Sequence, residues 1–294
     1  MKFVTYNIQY SKGKDGRCDL GRIADALDGA DVIALQEVER NWPHTGMTDQ
    51  PAELAALMPG YYWVYGAGFD MDASEISDDG VVTNRRRQFG NMILARWPLS
   101  WSRAYSLPRL KTVDRYDPSM TALEGVIDAP GGVLRVWSIH LSSISCRERM
   151  LQIDYLLGLH DRAPASGGPW TSAPAIRGDD FFALGAPPPA MPHEAIWMGD
   201  FNAETDGPEY DAIAGPKDPI HGRVRYADRF ADAWVCAGHD EAGSATYPAD
   251  RGFPDMRLDY CFVSAALAGR VRSAHVDLAA QGSDHQPLWV EMEL

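Results

Sequence analysis

Cysteine is scarce in this sequence, and what there is does not form a recognisable pattern. Four cysteines are spread along 294 residues without a CxxC pair, which excludes a dense disulfide framework and a cysteine-based zinc site. We therefore expect reduced thiols in a cytoplasmic protein. The first residues, MKFVTY, lack the basic and apolar regions of a signal peptide, and this leads to the same expectation.

Basic residues and long apolar segments are also in short supply. The chain has 27 basic against 41 acidic residues, a formal net charge of −14, which argues against binding nucleic acid through a broad basic face. A phosphate substrate is still compatible, because a bound metal ion would supply the local positive charge. No apolar run is long enough for a transmembrane helix. The 45% of hydrophobic residues is typical of a globular protein.

Short apolar segments alternate with segments of helical spacing. Strands are predicted at Lys2–Ile8, Asp31–Leu35, Met92–Ala95, Gly125–Ile127, Val133–Ile139, Ile196–Met198, Leu258–Val263 and Leu288–Glu293. Helices are predicted at Asp19–Leu27, Pro51–Met58, Ser145–Leu159 and Pro208–Ile213. Because similar strands flank every loop, we interpret residues 1–294 as one domain with loop excursions at about 66–88 and 163–193.

Carboxylates, amides and histidines recur where the predicted strands end. They are Asn7, Glu37, His140, Asp200, Asn202, Asp259, Asp284 and His285. Each alone is compatible with a turn, a cap or a structural histidine. Together they are what a site for a hard cation requires, because active-site groups of layered α/β folds gather at strand ends. Oxygen ligands favour Mg²⁺ or Mn²⁺ over zinc.

Seven segments, in this order, resemble the endonuclease/exonuclease/phosphatase superfamily. They read TYNIQY, IALQEVE, FGNMILARWPL, WSIHLS, MGDFNAETDGPEY, RLDYCFVS and SDHQPLWVEMEL. That group includes DNase I-like nucleases, inositol-polyphosphate phosphatases and bacterial sphingomyelinases. The resemblance extends from Lys2 to Glu293 and is weakest across Gly66–Arg87 and Pro164–Pro192. It implies an α/β fold, a four-layer sandwich of two mixed β-sheets packed face to face with helices on the outside.

The resemblance also implies a metal site. Glu37 would be the main metal ligand, with Asn7 beside it and Asp284 completing the coordination. The metal would be Mg²⁺ or Mn²⁺, with Ca²⁺ as a further candidate.

For the reaction, the resemblance implies five residues. Asp200 would orient or deprotonate the attacking water, and Asn202 would hydrogen-bond the phosphoryl oxygens. His285 would contact the scissile phosphate while Asp259 holds its other ring nitrogen. His140 would be a second donor to the phosphate. Either Asp200 or the Asp259–His285 pair would activate the water, and the sequence leaves both open.

Two departures from the family pattern concern phosphate binding. The stretch Gln88–Asn91 leaves His140 without an obvious carboxylate partner, and Asn91 would serve in another way. Family members commonly have an arginine just before an Ala-Leu pair in the middle of the chain, but no arginine stands just before Ala122 and Leu123 here. Phosphate contacts would come instead from Arg109, Lys111 or Arg115, or from the run Arg85–Arg87, for which a solvated loop is an equally good interpretation.

The main hypothesis is a divalent-metal-dependent phosphodiesterase acting on a small-molecule or lipid-headgroup phosphoester. The aromatic residues Phe69, Trp170, Phe181 and Phe182 would close over such a substrate, or would anchor ordinary surface loops. The alternative is a metal-dependent endo- or exonuclease, for which the charge is less favourable. A non-catalytic binding protein on this fold ranks last, because all the central residues are present. The sequence carries no indication of the oligomeric state.

Overall fold

A computed structural model describes residues 1–171, 187–248 and 254–294. The strands are β1 Lys2–Asn7, β2 Val32–Arg40, β3 Tyr62–Asp72, β4 Glu75–Ile76, β5 Val82–Thr83, β6 Arg86–Ala95, β7 Leu99–Ser106, β8 Thr121–Ala129, β9 Gly132–His140, β10 Ala195–Asp200, β11 Lys217–Asp218, β12 Gly222–Arg223, β13 Phe230–Asp232, β14 Asp259–Ser264, β15 Val271–Val276 and β16 Leu288–Met292. The helices are α1 Leu20–Ala26, α2 Gln50–Leu57, α3 Cys146–Ser166, α4 Pro208–Ala214 and α5 Ala233–Cys236.

Two six-stranded sheets form the centre of the molecule. The first has the order β15-β16-β1-β2-β6-β3, and the second has the order β13-β14-β10-β9-β8-β7. Both are mixed, because β1 runs parallel to β2 and β9 runs parallel to β10 while their neighbours pair antiparallel. The strands predicted at Gly125–Ile127 and Val133–Ile139 lie in β8 and β9, which form a hairpin with Ala129 opposite Gly132.

Apolar residues fill three spaces between four layers. One buried cluster joins the inner faces of the two sheets, for example Ala34 of β2 with Ile196 of β10. A second packs α3 and α4 against the outer face of the second sheet, and a third packs α1 and α2 against the outer face of the first. The first half of β2 is continuously apolar because both of its faces are buried. Val32 and Ala34 face the other sheet, whereas Ile33 and Leu35 face the helices. The predicted four-layer sandwich is confirmed.

Helix α3 is longer than its apolar pattern predicts. Ser145 caps it by accepting a hydrogen bond from the Glu148 backbone N–H (3.2 Å), and the helix continues past Leu159 to Ser166. The beginning of the predicted 163–193 loop is therefore helical. Phe181 and Phe182, expected either to close over a substrate or to anchor a surface loop, lie outside the described residues.

The predicted loop at 66–88 is wrong over most of its length. β3 and β6 pair as an antiparallel ladder that shifts register between Ala67 and Phe69 and reaches Asp72 opposite Arg86, and the small hairpin β4–β5 follows. β3 is largely exposed, so it lacks the apolar alternation by which strands are recognised in a sequence. Gly90 allows the ladder to close, because a β-carbon there would lie 2.0 Å from the carbonyl oxygen of Gly66.

Two expectations about the whole chain can be compared with the structure. All four cysteines are free thiols, as their spacing predicts. Within the described ranges, no helix combines the length and the apolar character needed to cross a membrane.

Candidate active site

Strand ends bring the predicted residues to one edge of the two sheets. Asn7 ends β1, His140 ends β9 and Asp200 ends β10. Asp200 lies opposite His140 in the parallel pair and opposite Asp259 in the antiparallel pair. The prediction that these residues meet is confirmed for this group, although Asp259 begins its strand instead of ending it.

Glu37 reaches the same place by a different local geometry. It lies inside β2, where the pairing with β6 shifts register between Leu35 and Val38. Its φ angle of 58° is left-handed, which costs a non-glycine residue about 1–3 kcal/mol. Such a bulge redirects a side chain out of the normal alternation of a strand. The carboxylate of Glu37 consequently lines the cavity described below.

Asn7 connects two of the carboxylates. Its amide Nδ2 donates to Glu37 Oε1 at 3.1 Å and to Asp200 Oδ2 at 2.9 Å. Its Oδ1 accepts a hydrogen bond from the backbone N–H of Gln9 at 3.0 Å. In this arrangement Asn7 holds together two groups whose negative charges repel each other.

Asp259 and His285 form a buried pair. His285 Nδ1 lies 2.8 Å from Asp259 Oδ2, and His285 Nε2 lies 3.7 Å from Asp200 Oδ2. Burial disfavours the charged ring, but the carboxylates of Asp259 and Asp200 overcome this and raise the pKa of His285 to about 10. The imidazole is therefore charged at neutral pH and offers a proton donor on Nε2.

His140 faces Asp200 and Glu37 with its Nε2, but among the described groups its Nδ1 has no counterpart to the Asp259 carboxylate that holds His285. Its Nε2 lies 3.7 Å from Asp200 Oδ2 and 4.0 Å from Glu37 Oε1. Its Nδ1 is buried without a hydrogen-bond partner among the described groups, and burial lowers the pKa of the ring. Asn91 is turned away and donates to two backbone carbonyls of β8 and β9. Asn91 therefore gives His140 no partner, and the carboxylates that face the ring are those of Asp200 and Glu37, on its Nε2 side.

Asn202 lies in a tight turn after β10. Its φ angle is 49°, and its backbone N–H donates to Asp200 Oδ1 at 2.9 Å. Its side-chain Nδ2 donates to the carbonyl of Leu141 at 3.0 Å. Asn202 lines the cavity, but its amide protons fix the turn and thereby orient Asp200.

Gln9 is a site residue that the sequence interpretation missed. Its side-chain Nε2 donates to Asp284 Oδ2 at 2.5 Å. Gln9, Tyr10 and Ser11 all have left-handed φ angles, between 42° and 67°. The segment TYNIQY contains this glutamine, but nothing in its local pattern indicates a partner almost at the other end of the chain.

The chemistry of the donor set fits a divalent cation. Burial raises the pKa of Glu37 to about 7 and raises the pKa of Asp200, because it disfavours the charged form of a carboxylate. Asp200, Asp259 and His285 each offer one donor atom within 4.8 Å of the others. Since His285 Nδ1 is already held by Asp259, the hard oxygen atoms of Glu37 and its neighbours fit Mg²⁺, Mn²⁺ or Ca²⁺ better.

These residues form part of the wall of a cavity of about 740 Å³. It is lined by Tyr10, Lys12, Gly16, Cys18, Glu37, Glu39, Trp42, His44, Phe69, Phe89, Tyr116, Pro118, Met120, His140, Ser143, Asp200, Asn202, Tyr247, Met256, Leu258, Asp284 and His285. Among these described residues, Lys12 is the one with a permanent positive charge. Most of the other lining residues are acidic, histidine or aromatic, and the rest are small, apolar or uncharged.

The basic residues predicted to bind phosphate are absent from this described lining. Arg109, Lys111 and Arg115 do not contribute to it, and Arg109 lies 3.7 Å from the carboxylate of Asp117.

Two residues of the Arg85–Arg87 run form ion pairs away from the cavity lining. Arg85 pairs with Glu75 at 2.6 Å and Arg86 with Asp70 at 2.7 Å, and all four side chains are exposed. This favours the solvated-surface interpretation for Arg85 and Arg86, whereas the Arg87 guanidinium lies 5.5 Å from the centroid of the Trp42 ring in the cavity lining.

Comparisons with known proteins agree with the fold and identify the family. A sequence profile described as the Endonuclease/Exonuclease/phosphatase family matches residues 4–285. No functionally curated protein gives a significant match. An endonuclease/exonuclease/phosphatase from Beutenbergia cavernae is 23% identical with a TM-score of 0.63, over 100% of this chain and 71% of that one.

Two further structures have lower identity and cover the chain completely. The mannosyl-6-phosphatase Bt3783 of Bacteroides thetaiotaomicron is 17% identical with a TM-score of 0.63, over 100% of both chains. A humanized D. rerio TDP2 is 16% identical with a TM-score of 0.58, over 100% of this chain and 99% of that one. The profile match spans nearly the whole sequence, so the chain belongs to the endonuclease/exonuclease/phosphatase family, whose members hydrolyse phosphoesters.

Proposed function

We propose that the protein is a divalent-metal-dependent phosphodiesterase that hydrolyses a small-molecule or lipid-headgroup phosphoester. The observation that supports this most is the composition of the cavity wall. It combines buried carboxylates with charged and neutral histidines, and Lys12 is its one permanent cation among the described residues. Such a wall suits one phosphoryl group reached through a metal ion, and offers little to a long polyanion.

Glu37, Asp284 and Asn7 are the proposed metal-binding residues. When bound there, Mg²⁺, Mn²⁺ or Ca²⁺ supplies positive charge to the phosphoryl oxygens. Glu37 and Asp284 line the cavity, and Asn7 donates to Glu37. The amide of Asn7 would turn its Oδ1 toward the cation.

Asp200 is the proposed base for the attacking water. Its Oδ2 lies 3.7 Å from both His140 Nε2 and His285 Nε2, so a water between them would be next to two phosphate-binding groups. His285 would donate a hydrogen bond to the phosphoryl oxygen, with Asp259 keeping its ring charged. The carboxylates of Asp259 and Asp200 raise the pKa of His285, so the ring holds its proton tightly, which favours Asp200 over the Asp259–His285 pair as the base.

Asn202 and His140 would complete the phosphate-binding side. His140 Nε2 faces the cavity and would donate to a phosphoryl oxygen. Asn202 would hold Asp200 in place through its backbone N–H, and its own contact with the phosphate would require its side chain to leave Leu141.

A small-molecule substrate is favoured by the aromatic side chains in the cavity lining and by the scarcity of cations there. The similarity to a structure described as a mannosyl-6-phosphatase supports a phosphoester of modest size. The second candidate, a metal-dependent nuclease, is favoured by the description of the matching family as endonucleases and exonucleases.

The experiment that separates the two uses one enzyme preparation with Mg²⁺, Mn²⁺ and Ca²⁺ in turn. We expect turnover of bis(p-nitrophenyl) phosphate, slower turnover of p-nitrophenyl phosphate, and no cleavage of single- or double-stranded DNA or RNA. Efficient nucleic-acid cleavage that falls steeply with salt would favour the nuclease instead. No hydrolysis of any phosphoester with any of the three metals would contradict both.

A further inference from the structure

One wall of the cavity is a continuous series of contacting rings. The ring-centroid distances are 4.8 Å for Tyr10–His44, 5.4 Å for His44–Trp42, 5.6 Å for Trp42–Phe69 and 5.9 Å for Phe69–Phe89. We call these five side chains the aromatic wall. Phe89 in turn lies 6.1 Å from the ring of His140, so the aromatic wall is continuous with the proposed phosphate-binding residues.

A buried carboxylate lies in the same part of the cavity and has no place in the proposed chemistry. Glu39 is 3% exposed and lines the cavity. Its Oε2 lies 2.9 Å from His44 Nε2 but is not aligned for a hydrogen bond there, and it accepts none from any other described group. Buried polar atoms are normally satisfied, so a ligand that donates to Glu39 would remove this deficit.

Gln50 fixes the geometry of this region. It is 1% exposed, its Oε1 accepts a hydrogen bond from the Glu39 backbone N–H at 2.9 Å, and its Nε2 donates to the carbonyl of Tyr10 at 2.7 Å. One side chain thus ties the strand that carries Glu39 to the left-handed segment that carries Tyr10. The region is held in place before any ligand binds, which lowers the entropic cost of recognition.

The chemistry of the region indicates its ligand class. A hydrogen-bond acceptor, Glu39 Oε2, and a ring nitrogen, His44 Nε2, lie side by side next to apolar ring surfaces. Adjacent hydroxyl groups on a saturated ring present the complementary donors and acceptors, together with C–H faces that pack on aromatic rings. A quaternary ammonium ion would fit less well, because it donates no hydrogen bond and because the Trp42 ring already has the Arg87 guanidinium 5.5 Å from its centroid.

We propose that Glu39, His44 and Trp42 form a specificity subsite for a hydroxyl-bearing ring, such as a sugar or a cyclitol, on one alcohol of the phosphoester. The subsite deepens the proposed function and rests on it. The phosphoryl group lies against His140 and the metal-binding residues, and the ring of the alcohol extends along the aromatic wall until its hydroxyls meet Glu39.

The test compares three 4-nitrophenyl phosphodiesters that share one leaving group. In the first, the other alcohol is the 6-hydroxyl of methyl α-D-glucopyranoside; in the second it is ethanol; in the third it is choline. In the wild type with Mn²⁺, we expect kcat/KM for the glucoside diester to exceed that for the ethyl diester by about 100-fold or more, since a site built for hydroxyl groups rejects an alcohol that lacks them.

Two variants and one control locate the preference. Glu39→Gln and His44→Ala should each lower the glucoside-to-ethyl ratio by about tenfold or more, because each removes a hydrogen bond to the ring. His221→Ala is the matched control: His221 also pairs with a carboxylate, Asp218 at 3.0 Å, but on the exposed surface away from the cavity lining. It should leave both rates unchanged. Should Glu39→Gln fail to fold, the partly exposed His44 carries the test.

The outcomes separate the subsite from the proposed function. No hydrolysis of any of the three diesters by the wild type would contradict the function itself. Hydrolysis with a glucoside-to-ethyl ratio near one, or a ratio that both variants leave intact, would overturn the subsite alone. A preference for the choline diester that Glu39→Gln abolishes would overturn the ligand class.

Discussion

Buried carboxylates occur in two regions of this molecule, and they are compensated in different ways. In the body of the second sheet, Glu124 pairs with Arg135 at 2.7 Å, with both side chains at most 1% exposed. Near α5, Arg257 reaches both oxygens of Asp232 at 2.8 and 2.9 Å. At the edge of the sheets, Asp200 faces two histidines at 3.7 Å each.

The difference is also visible in hydrogen-bond saturation. Asp232 accepts further hydrogen bonds from the Tyr210 hydroxyl and the Trp234 backbone N–H, both at 2.9 Å. Asp259, equally buried, has one oxygen without a hydrogen-bond partner among the described groups. Structural carboxylates are thus saturated by permanent cations, whereas the site retains spare acceptor capacity and negative charge. A divalent cation and a phosphate with its water are the groups that would use this capacity.

The largest expected effect separates activity from stability. Asp200→Asn removes the proposed base and should lower kcat/KM for bis(p-nitrophenyl) phosphate by about 10³-fold. Its free energy of unfolding should not fall, because a buried, poorly compensated charge is removed. The matched control is Asp232→Asn, which should lower stability and leave kcat/KM of the folded enzyme within a few-fold. Equal activity in both variants would contradict the distinction between the two regions.

The second prediction concerns a structural pair alone. Arg135→Met leaves Glu124 buried without its cation and should lower the free energy of unfolding by about 3–5 kcal/mol. Adding Glu124→Gln removes the uncompensated charge and should recover most of that loss in urea denaturation. If the double variant were as unstable as the single one, the pair would not owe its effect to charge compensation.

The third prediction concerns the spare charge at the site. Mg²⁺ or Mn²⁺ at about 100 times its dissociation constant should stabilise the wild type by about 2.7 kcal/mol. Glu37→Gln should lose most of this metal-dependent increase in Tm. Glu209→Gln, which changes a buried carboxylate paired with Arg149 at 2.8 Å, should keep the increase even if its starting Tm is lower. An equal increase in both variants would place the metal elsewhere.

The fourth and smallest effect compares two buried histidines. His285 has carboxylate partners, whereas burial and then the Arg135 charge lower the pKa of His160 to about 3. The unfolded ring takes up a proton near pH 6.5 and the folded ring does not, so stability is lost as pH falls below that value. The loss between pH 7 and pH 5 should be about 2 kcal/mol. In chemical denaturation, the free energy of unfolding of His160→Phe should fall less between pH 7 and pH 5 than that of the wild type. An equal fall in both proteins would mean that other groups cause the pH dependence.

Much of the architecture could be predicted from the sequence because the apolar runs of the sequence coincide with strands of the two sheets. The apolar run ending at Asn7, and those ending near His140 and Asp200, stop where the strands stop. Parallel pairing then brings these ends to one edge. Most residues of the proposed site could therefore be predicted from the polar residues that follow apolar runs in the sequence.

Other features depend on contacts that no local pattern reveals. The ladder of β3 and β6 has a mostly exposed face, so its sequence reads as a loop. Gln9 meets Asp284 from almost the opposite end of the chain, and Gln50 positions Glu39 from a separate helix. The cavity lining includes Lys12 and none of the basic residues that were candidates for phosphate binding. The sequence does not tell these basic residues apart, because only the fold determines which of them lies beside the cavity.

The central claim is that the under-compensated carboxylates bind a divalent cation on which hydrolysis depends. The most direct test is the initial rate of bis(p-nitrophenyl) phosphate hydrolysis as a function of Mn²⁺ after treatment with EDTA, for the wild type, Glu37→Gln and Glu209→Gln. We expect no hydrolysis without metal, a rate that saturates with Mn²⁺ in the wild type and in Glu209→Gln, and a curve for Glu37→Gln that is displaced to much higher Mn²⁺ or abolished. A full rate in EDTA, or identical curves for all three proteins, would contradict it.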